Sequence, residues 1–207
     1  MKRAYDAADK DQRRKSILDA AALLLQQGGG SLPSAAQIAA TSGLAKGTLY
    51  IYFRTKEEIF AALLLHLWGP ALATLSEEFT RTDRSVPERV EAFVLRFVAY
   101  VDERPFLLRL DALAKEGIER NMSQPALTAH KAAALADIER VSAHLEAALE
   151  LAPGRGFQLL TRTHAMMRGL WQAFGDPLPV AQGCAHPAFA TELREALTEY
   201  WRGALSG

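Results

Sequence analysis

The side chains with most to offer chemically lie in residues 34–56, SAAQIAATSGLAKGTLYIYFRTK. Lys46, Thr48, Tyr50, Tyr52 and Lys56 supply ammonium and hydroxyl groups, Ser34 adds a hydroxyl at the head of the run, and the run holds no carboxylate. Groups of this kind bond phosphate oxygens. Lys also reaches a guanine edge, and the Thr methyl can meet a thymine methyl. The chemistry on offer is recognition of a nucleic acid, not the making or breaking of bonds.

Those side chains need a scaffold, and the same residues encode one. Ile38, Leu44 and Leu49 fall at spacings that bury one face of two short helices, with Ala39 where the helices must nearly touch. Gly43 falls where the chain must turn sharply, and glycine takes a positive φ without steric cost. A helix over about Ala45–Tyr52, anchored by Leu49 with Phe53 one turn on, puts Lys46 and Tyr50 on one face by their i, i+4 spacing. Thr48 and Tyr52 share the neighbouring face. A helix-turn-helix lays its second helix in the DNA major groove. Lys56, in the first turn of the next helix, adds its charge to the positive end of a helix dipole. Each residue also has a plainer reading: Ser34 as a helix cap, Tyr52 as a core aromatic, Lys46 and Lys56 as solvated lysines.

The rest of the chain reads as helices. Ala and Leu dominate, and no alternating β-branched runs are joined by tight-turn dipeptides. A first helix over about Lys10–Gln27 stops at Gly28-Gly29-Gly30. Ser34/Gln37, Thr55/Glu58 and Ser85/Glu88 have the spacing of capping boxes, marking three helix starts. Gly69-Pro70 is expected to kink or break the helix that opens near Lys56. Further helices follow over about 87–103, 105–120, 123–151, 157–174 and 187–205, making about nine, with a Pro/Gly-rich loop at 175–187. Residues 1–56 hold nine Lys/Arg and four acids, a balance of +5; the chain nets zero, so the remainder carries −5. A basic end on an acidic body is the footprint of a DNA-binding head.

The motifs Ile17-Leu18-Asp19-Ala20-Ala21, Ile38-Ala39, Ser42-Gly43-Leu44, Lys46-Gly47-Thr48-Leu49-Tyr50, Tyr52-Phe53 and Lys56-Glu57 resemble those of the tetracycline-repressor-like (TetR) regulators, over about residues 10–66. The resemblance implies an all-α homodimer. An N-terminal three-helix helix-turn-helix domain (residues 1–55) would bind a palindromic operator. A C-terminal helical bundle (56–207) would dimerise and bind a small apolar or amphipathic effector. On that pattern Ser34, Lys46, Thr48, Tyr50, Tyr52 and Lys56 correspond to DNA contacts. Ala45 stands where the family often has Ser, so one hydroxyl contact is missing. The eighth and ninth helices would pair with their copies through Ala165, Gly169, Trp171, Leu193, Leu197, Tyr200 and Trp201. Trp68, Phe97, Val101, Phe106, His130, Leu135 and Met166 are candidate effector linings; each also suits an ordinary core. A nucleoid-associated or division-linked DNA-binding adaptor with a protein partner is the alternative on the same fold.

Other chemistries find little support. Cys184, the sole cysteine, excludes an internal disulfide and fits a reducing cytoplasm. Cys184 and His186 lack further ligands for a metal or a third group for nucleophilic catalysis. Gly28-Gly29-Gly30 follows a helix and precedes no strand, so it is no phosphate loop. No enzyme, cofactor or metal is expected. Neither a signal peptide's apolar core nor an uncharged apolar run of membrane-spanning length is expected.

Overall fold

Local capping chemistry sets where the helices begin. The Ser34 Oγ accepts from the Gln37 N–H (3.3 Å) and the Gln37 Oε1 accepts from the Ser34 N–H (2.9 Å), which starts a helix at Ala35. The Glu88 Oε2 accepts from the Ser85 N–H (2.8 Å) in the same way. The third box is altered: Thr55 Oγ1 accepts from the Glu58 N–H (3.2 Å), but the Glu58 carboxylate reaches back to the Arg54 N–H (2.9 Å), one residue further than a capping box.

The computed structural model describes residues 2–28, 31–175 and 188–205, with side chains from residue 9 onward. Cys184 and His186 lie outside the described residues. Among these there are nine α-helices and no strands: α1 (Lys2–Gln27), α2 (Ala35–Thr41), α3 (Lys46–Tyr52), α4 (Lys56–Phe79), α5 (Val86–Asp102), α6 (Pro105–Leu113), α7 (Gln124–Leu149), α8 (Arg155–Phe174) and α9 (Phe189–Leu205). The all-α class expected from the sequence is the class observed.

Three boundaries differ from expectation. α1 starts at Lys2 rather than near Lys10. α4 runs through Gly69-Pro70 without a break. Proline removes one backbone hydrogen bond and crowds the carbonyl four residues back. Buried Leu63 and Leu64 before the defect, and Ala71 and Leu75 after it, hold both halves in one helix. The sixth helix ends at Leu113 rather than near Arg120, and the chain continues as a wide π-turn (Ala114–Ile118) and a 3₁₀ turn (Glu119–Asn121). The extra residue in the wide turn brings Ile118 inward, where it is 1% exposed.

The chain forms two compact units, residues 1–67 with 109–131, and residues 68–108 with 132–207. The first unit thus runs past residue 55 and takes in the first turns of α4, whose Ile59, Phe60 and Leu63 are fully buried. Its other buried residues include Ile17, Ala21, Ile38, Ala39, Leu49 and Phe53. The core of the second unit gathers Phe79, Phe93, Phe97, Val101, Leu159, Met167, Leu193, Leu197 and Trp201. Trp201 stacks on Phe79 (5.2 Å between ring centres), tilts against Phe93 (5.1 Å) and donates its indole N–H to Thr163 Oγ1 (3.0 Å). Gly156 lets α8 start against α7: a Cβ there would lie 2.5 Å from the Ser142 carbonyl oxygen. The buried Glu78 carboxylate accepts from Arg96 (2.6 Å) and Arg84 (3.4 Å).

The expectation of no membrane-length apolar run is corrected by α4, which is long and apolar enough to cross a membrane by length and composition. Ile59, Phe60, Leu63, Leu64, Ala71, Leu75 and Phe79 are all buried within the protein. A helix apolar on most sides is what a core position demands.

Candidate nucleic-acid interface

The turn between α2 and α3 is built from the backbone outward. Gly43 adopts φ +69°, the left-handed conformation its place in the motif predicts. The Leu44 N–H bonds the Ala39 carbonyl (2.9 Å), and the Ser42 hydroxyl donates to that same carbonyl (3.1 Å). Ala39 is 2% exposed, so the close approach at this point is real. α3 then hangs on one buried residue of its own, Leu49, and on Phe53 just beyond its end. The Arg14 guanidinium lies over the Phe53 ring, 4.2 Å from its centre, and donates to the Tyr52 carbonyl (3.4 Å). This cation–π contact clamps the C-terminal end of α3 to α1.

With Leu49 inward, Lys46 and Tyr50 are exposed, and Thr48 and Tyr52 are half-buried. Lys46 and Tyr50 therefore lie on one flank of this short helix and Thr48 and Tyr52 on the other, at about 100° per residue from Leu49. Ser34 is exposed, but its hydroxyl is engaged: it donates to Gln37 Oε1 (2.8 Å) as well as accepting the capping bond. The cap is the role visible in the structure. Lys56 is exposed in the first turn of α4, where Glu57 and Glu58 accompany it, and its Nζ lies 3.9 Å from the Glu57 carboxylate. Those carboxylates weaken the anion-attracting end of that helix.

Two residues of α3 outside the expected DNA-contact set dominate its outermost side. Gly47 faces open space, and a Cβ added there would meet nothing within 4 Å. Ile51 is 77% exposed. The signal that finds them is angular: both stand roughly opposite Leu49 at about 100° per residue. Arg14 was likewise legible only as part of the basic balance, not as the clamp on Phe53.

The candidate effector linings are only partly brought together. Trp68 stacks on Phe97 (6.5 Å) and meets His164 edge-on (5.7 Å). Val101 is fully buried in the same core, and Met166 packs at its margin. Phe106 is half-buried. Leu135 is 44% exposed on the protomer surface, so it lines no interior. His130 belongs to the first unit, where partial burial pushes its imidazole pKa down, the Glu119 carboxylate opposing.

The expected pairing residues divide in two. Leu193, Leu197 and Trp201 are 0% exposed within their own protomer, so they are corrected to core: their side chains already have partners in the aromatic cluster and cannot meet a second copy. Ala165 and Gly169 are exposed, and Trp171 and Tyr200 are half-buried. Among the described residues no three His, Cys, Asp or Glu side chains gather where they could hold a metal.

Two segments of the chain match families. Residues 17–63 match the bacterial regulatory proteins of the tetR family, and residues 67–207 match the tetracyclin repressor-like C-terminal domain. The chain belongs to the TetR family. It is a DNA-binding transcriptional regulator of that family. A TetR-family regulator of Mesorhizobium loti MAFF303099 shares the fold with a TM-score of 0.63 at 16% identity, over 94% of this chain and 96% of that one. So does SmeT, the repressor of the Stenotrophomonas maltophilia multidrug efflux pump SmeDEF, with a TM-score of 0.55 at 18% identity, over 92% and 89%. The nucleoid occlusion factor SlmA of Marinomonas sp. (strain MWYL1) is 29% identical over 110 residues, 52% of this chain. The chain thus aligns with about half the length of this curated relative (55%).

Proposed function

We propose that this TetR-family regulator is a cytoplasmic homodimeric repressor, released from a palindromic operator by a small apolar or amphipathic effector. The observation that carries the reading is α3: a helix pinned by Leu49 that turns Lys46, Tyr50 and its backbone outward from a basic head. Thr48, Tyr52, Ser34 and Lys56 complete the DNA-contact set. Two heads on a C2 dimer match two half-sites one or more helical turns apart. The pairing surface is the outer side of α8 and α9, where exposed Ala165 and Gly169 permit close approach and Trp171 and Tyr200 flank them. Trp68, Phe97, Val101 and Met166 are the linings retained for an effector. Effector binding shifts the dimer between DNA-competent and incompetent states only by its differential affinity for the two.

Titrating the protein against its own upstream DNA at several salt concentrations tests this. A sequence-specific complex whose affinity falls steeply with salt is expected. Absence of any specific complex at low salt overturns the reading. Lys46→Ala and Tyr50→Ala should each weaken the complex by about 1–3 kcal/mol if their side chains touch bases.

The SlmA relative favours a second reading, a nucleoid-associated adaptor whose partner is a protein. Chromatin capture separates the two: sites clustered at one promoter support the repressor, and sites scattered across the genome support the adaptor.

A further inference from the structure

Ile51 breaks a local rule without a reason among the described residues. It is the most exposed large apolar side chain among the described residues, at 77%, and it is the penultimate residue of the reading helix, between Tyr50 and Tyr52. A β-branched residue adds nothing to an exposed helix, because its χ1 freedom is restricted there. One turn away, Gly47 breaks a second rule. Glycine weakens a helix relative to alanine, yet a Cβ at Gly47 would meet open space and its φ is not left-handed. Nothing among the described residues requires either side chain. Both stand on the same outermost side of α3, at i and i+4, opposite the Leu49 anchor. Two departures from helix preference on one face mark a surface shaped for something outside the chain.

We infer that Ile51 reads a thymine by packing on its 5-methyl group in the major groove, and that Gly47 clears the helix surface so the backbone can come close enough for it to do so. This rests on the DNA-reading role proposed for α3. The thymine methyl is the apolar feature of the major-groove edge of the bases, and apolar side chains recognise it. Lys46 and Tyr50 beside this face, both exposed, hold the helix by polar contacts and leave the centre of the face to Ile51. The base pair opposite Ile51 is therefore specified by shape and apolar contact, whereas its neighbours are specified by hydrogen bonds.

The test begins with an operator selected from random duplexes by the full-length wild-type protein. Each thymine is then replaced in turn by deoxyuridine, which lacks only the methyl. One symmetric position in each half-site should lose roughly threefold to fivefold in affinity, the worth of burying one methyl group. Ile51→Ala should bind the thymine operator more weakly and show no deoxyuridine penalty at that position. Ile51→Gln, put through the same selection, should exchange the thymine for adenine, which a Gln amide bonds in bidentate fashion. A deoxyuridine penalty that persists unchanged in Ile51→Ala, or operators identical for wild type and both variants, overturns the inference while leaving the DNA-reading role intact. Failure of the wild type to select any operator overturns both. Unchanged helical circular dichroism in the variants confirms that folding is not what was measured.

Discussion

α3 and α9 show two opposite uses of an apolar stripe. α9 buries Phe189, Leu193, Leu197 and Trp201 at every fourth position, so its inner face is entirely occupied by its own protomer. α3 buries Leu49 alone and leaves the remainder of its surface half-buried or exposed, Ile51 most of all. A helix that builds a core repeats its anchors along its length. A helix that reads another molecule keeps the fewest anchors that fix its orientation, and the clamp of Arg14 on Phe53 supplies what a second internal anchor would.

The contrast can be broken most sharply at Trp201. Trp201→Ala should cost about 3–5 kcal/mol of stability, with loss of the stacking on Phe79, the tilted contact with Phe93 and the indole bond to Thr163, whose hydroxyl keeps only its bond to the Leu159 carbonyl. Urea denaturation checks it, and the cost should not vary with protein concentration; a concentration-dependent cost would return Trp201 to the interface between copies. Next in size, Leu49→Ala should cost about 2–5 kcal/mol and abolish DNA binding, because the only internal anchor of α3 is lost. Retained operator affinity in a stable Leu49→Ala protein would mean that Arg14 and Phe53 orient the helix without it. Gly47→Ala should do the reverse of a core mutation. Thermal stability should rise by up to about 1 kcal/mol while operator affinity falls; a rise in both would remove the close-approach role.

The smallest expected effect is on pH dependence. The folded His130 imidazole titrates below its ordinary value of 6.5, so the unfolded chain takes up a proton that the folded chain refuses. The stability it contributes is present above about 6.5 and is lost as pH falls below that value. His130→Gln should flatten that part of the stability–pH curve, and an unchanged slope would show that other groups set it.

The sequence was most legible where the physics is local. Ser34 with Gln37, and Ser85 with Glu88, place helix starts because each cap is made within a single turn. Gly43 is legible because only a left-handed residue closes that turn. Legibility failed where distant burial decides. Pro70 predicts an interruption by local rules, but buried neighbours on both sides carry the helix through it. The periodicity of Leu193, Leu197 and Trp201 reveals that they are buried but not in which molecule, and the answer lies in Phe79 and Phe93 far back in the chain. Ile51 is illegible for the complementary reason: an apolar residue in a helix is ordinarily credited to a core, and only the fixed direction of Leu49 shows it facing away.

The stacking of Trp201 on Phe79 also has a consequence for biosynthesis. Phe79 ends α4 and leaves the ribosome long before α9 does, so its partner does not yet exist when the ring first emerges. Until then the apolar side chains of α4 that belong to the second unit stay uncovered on a nascent chain that cannot close its core. The buried residues of the head motif, from Ile17 to Leu63, emerge together before Phe79 does, and of that unit only residues 109–131 follow later. Synthesis therefore exposes a long apolar helix beside an early-folding reader, and chaperone demand during translation falls on the body of the protein.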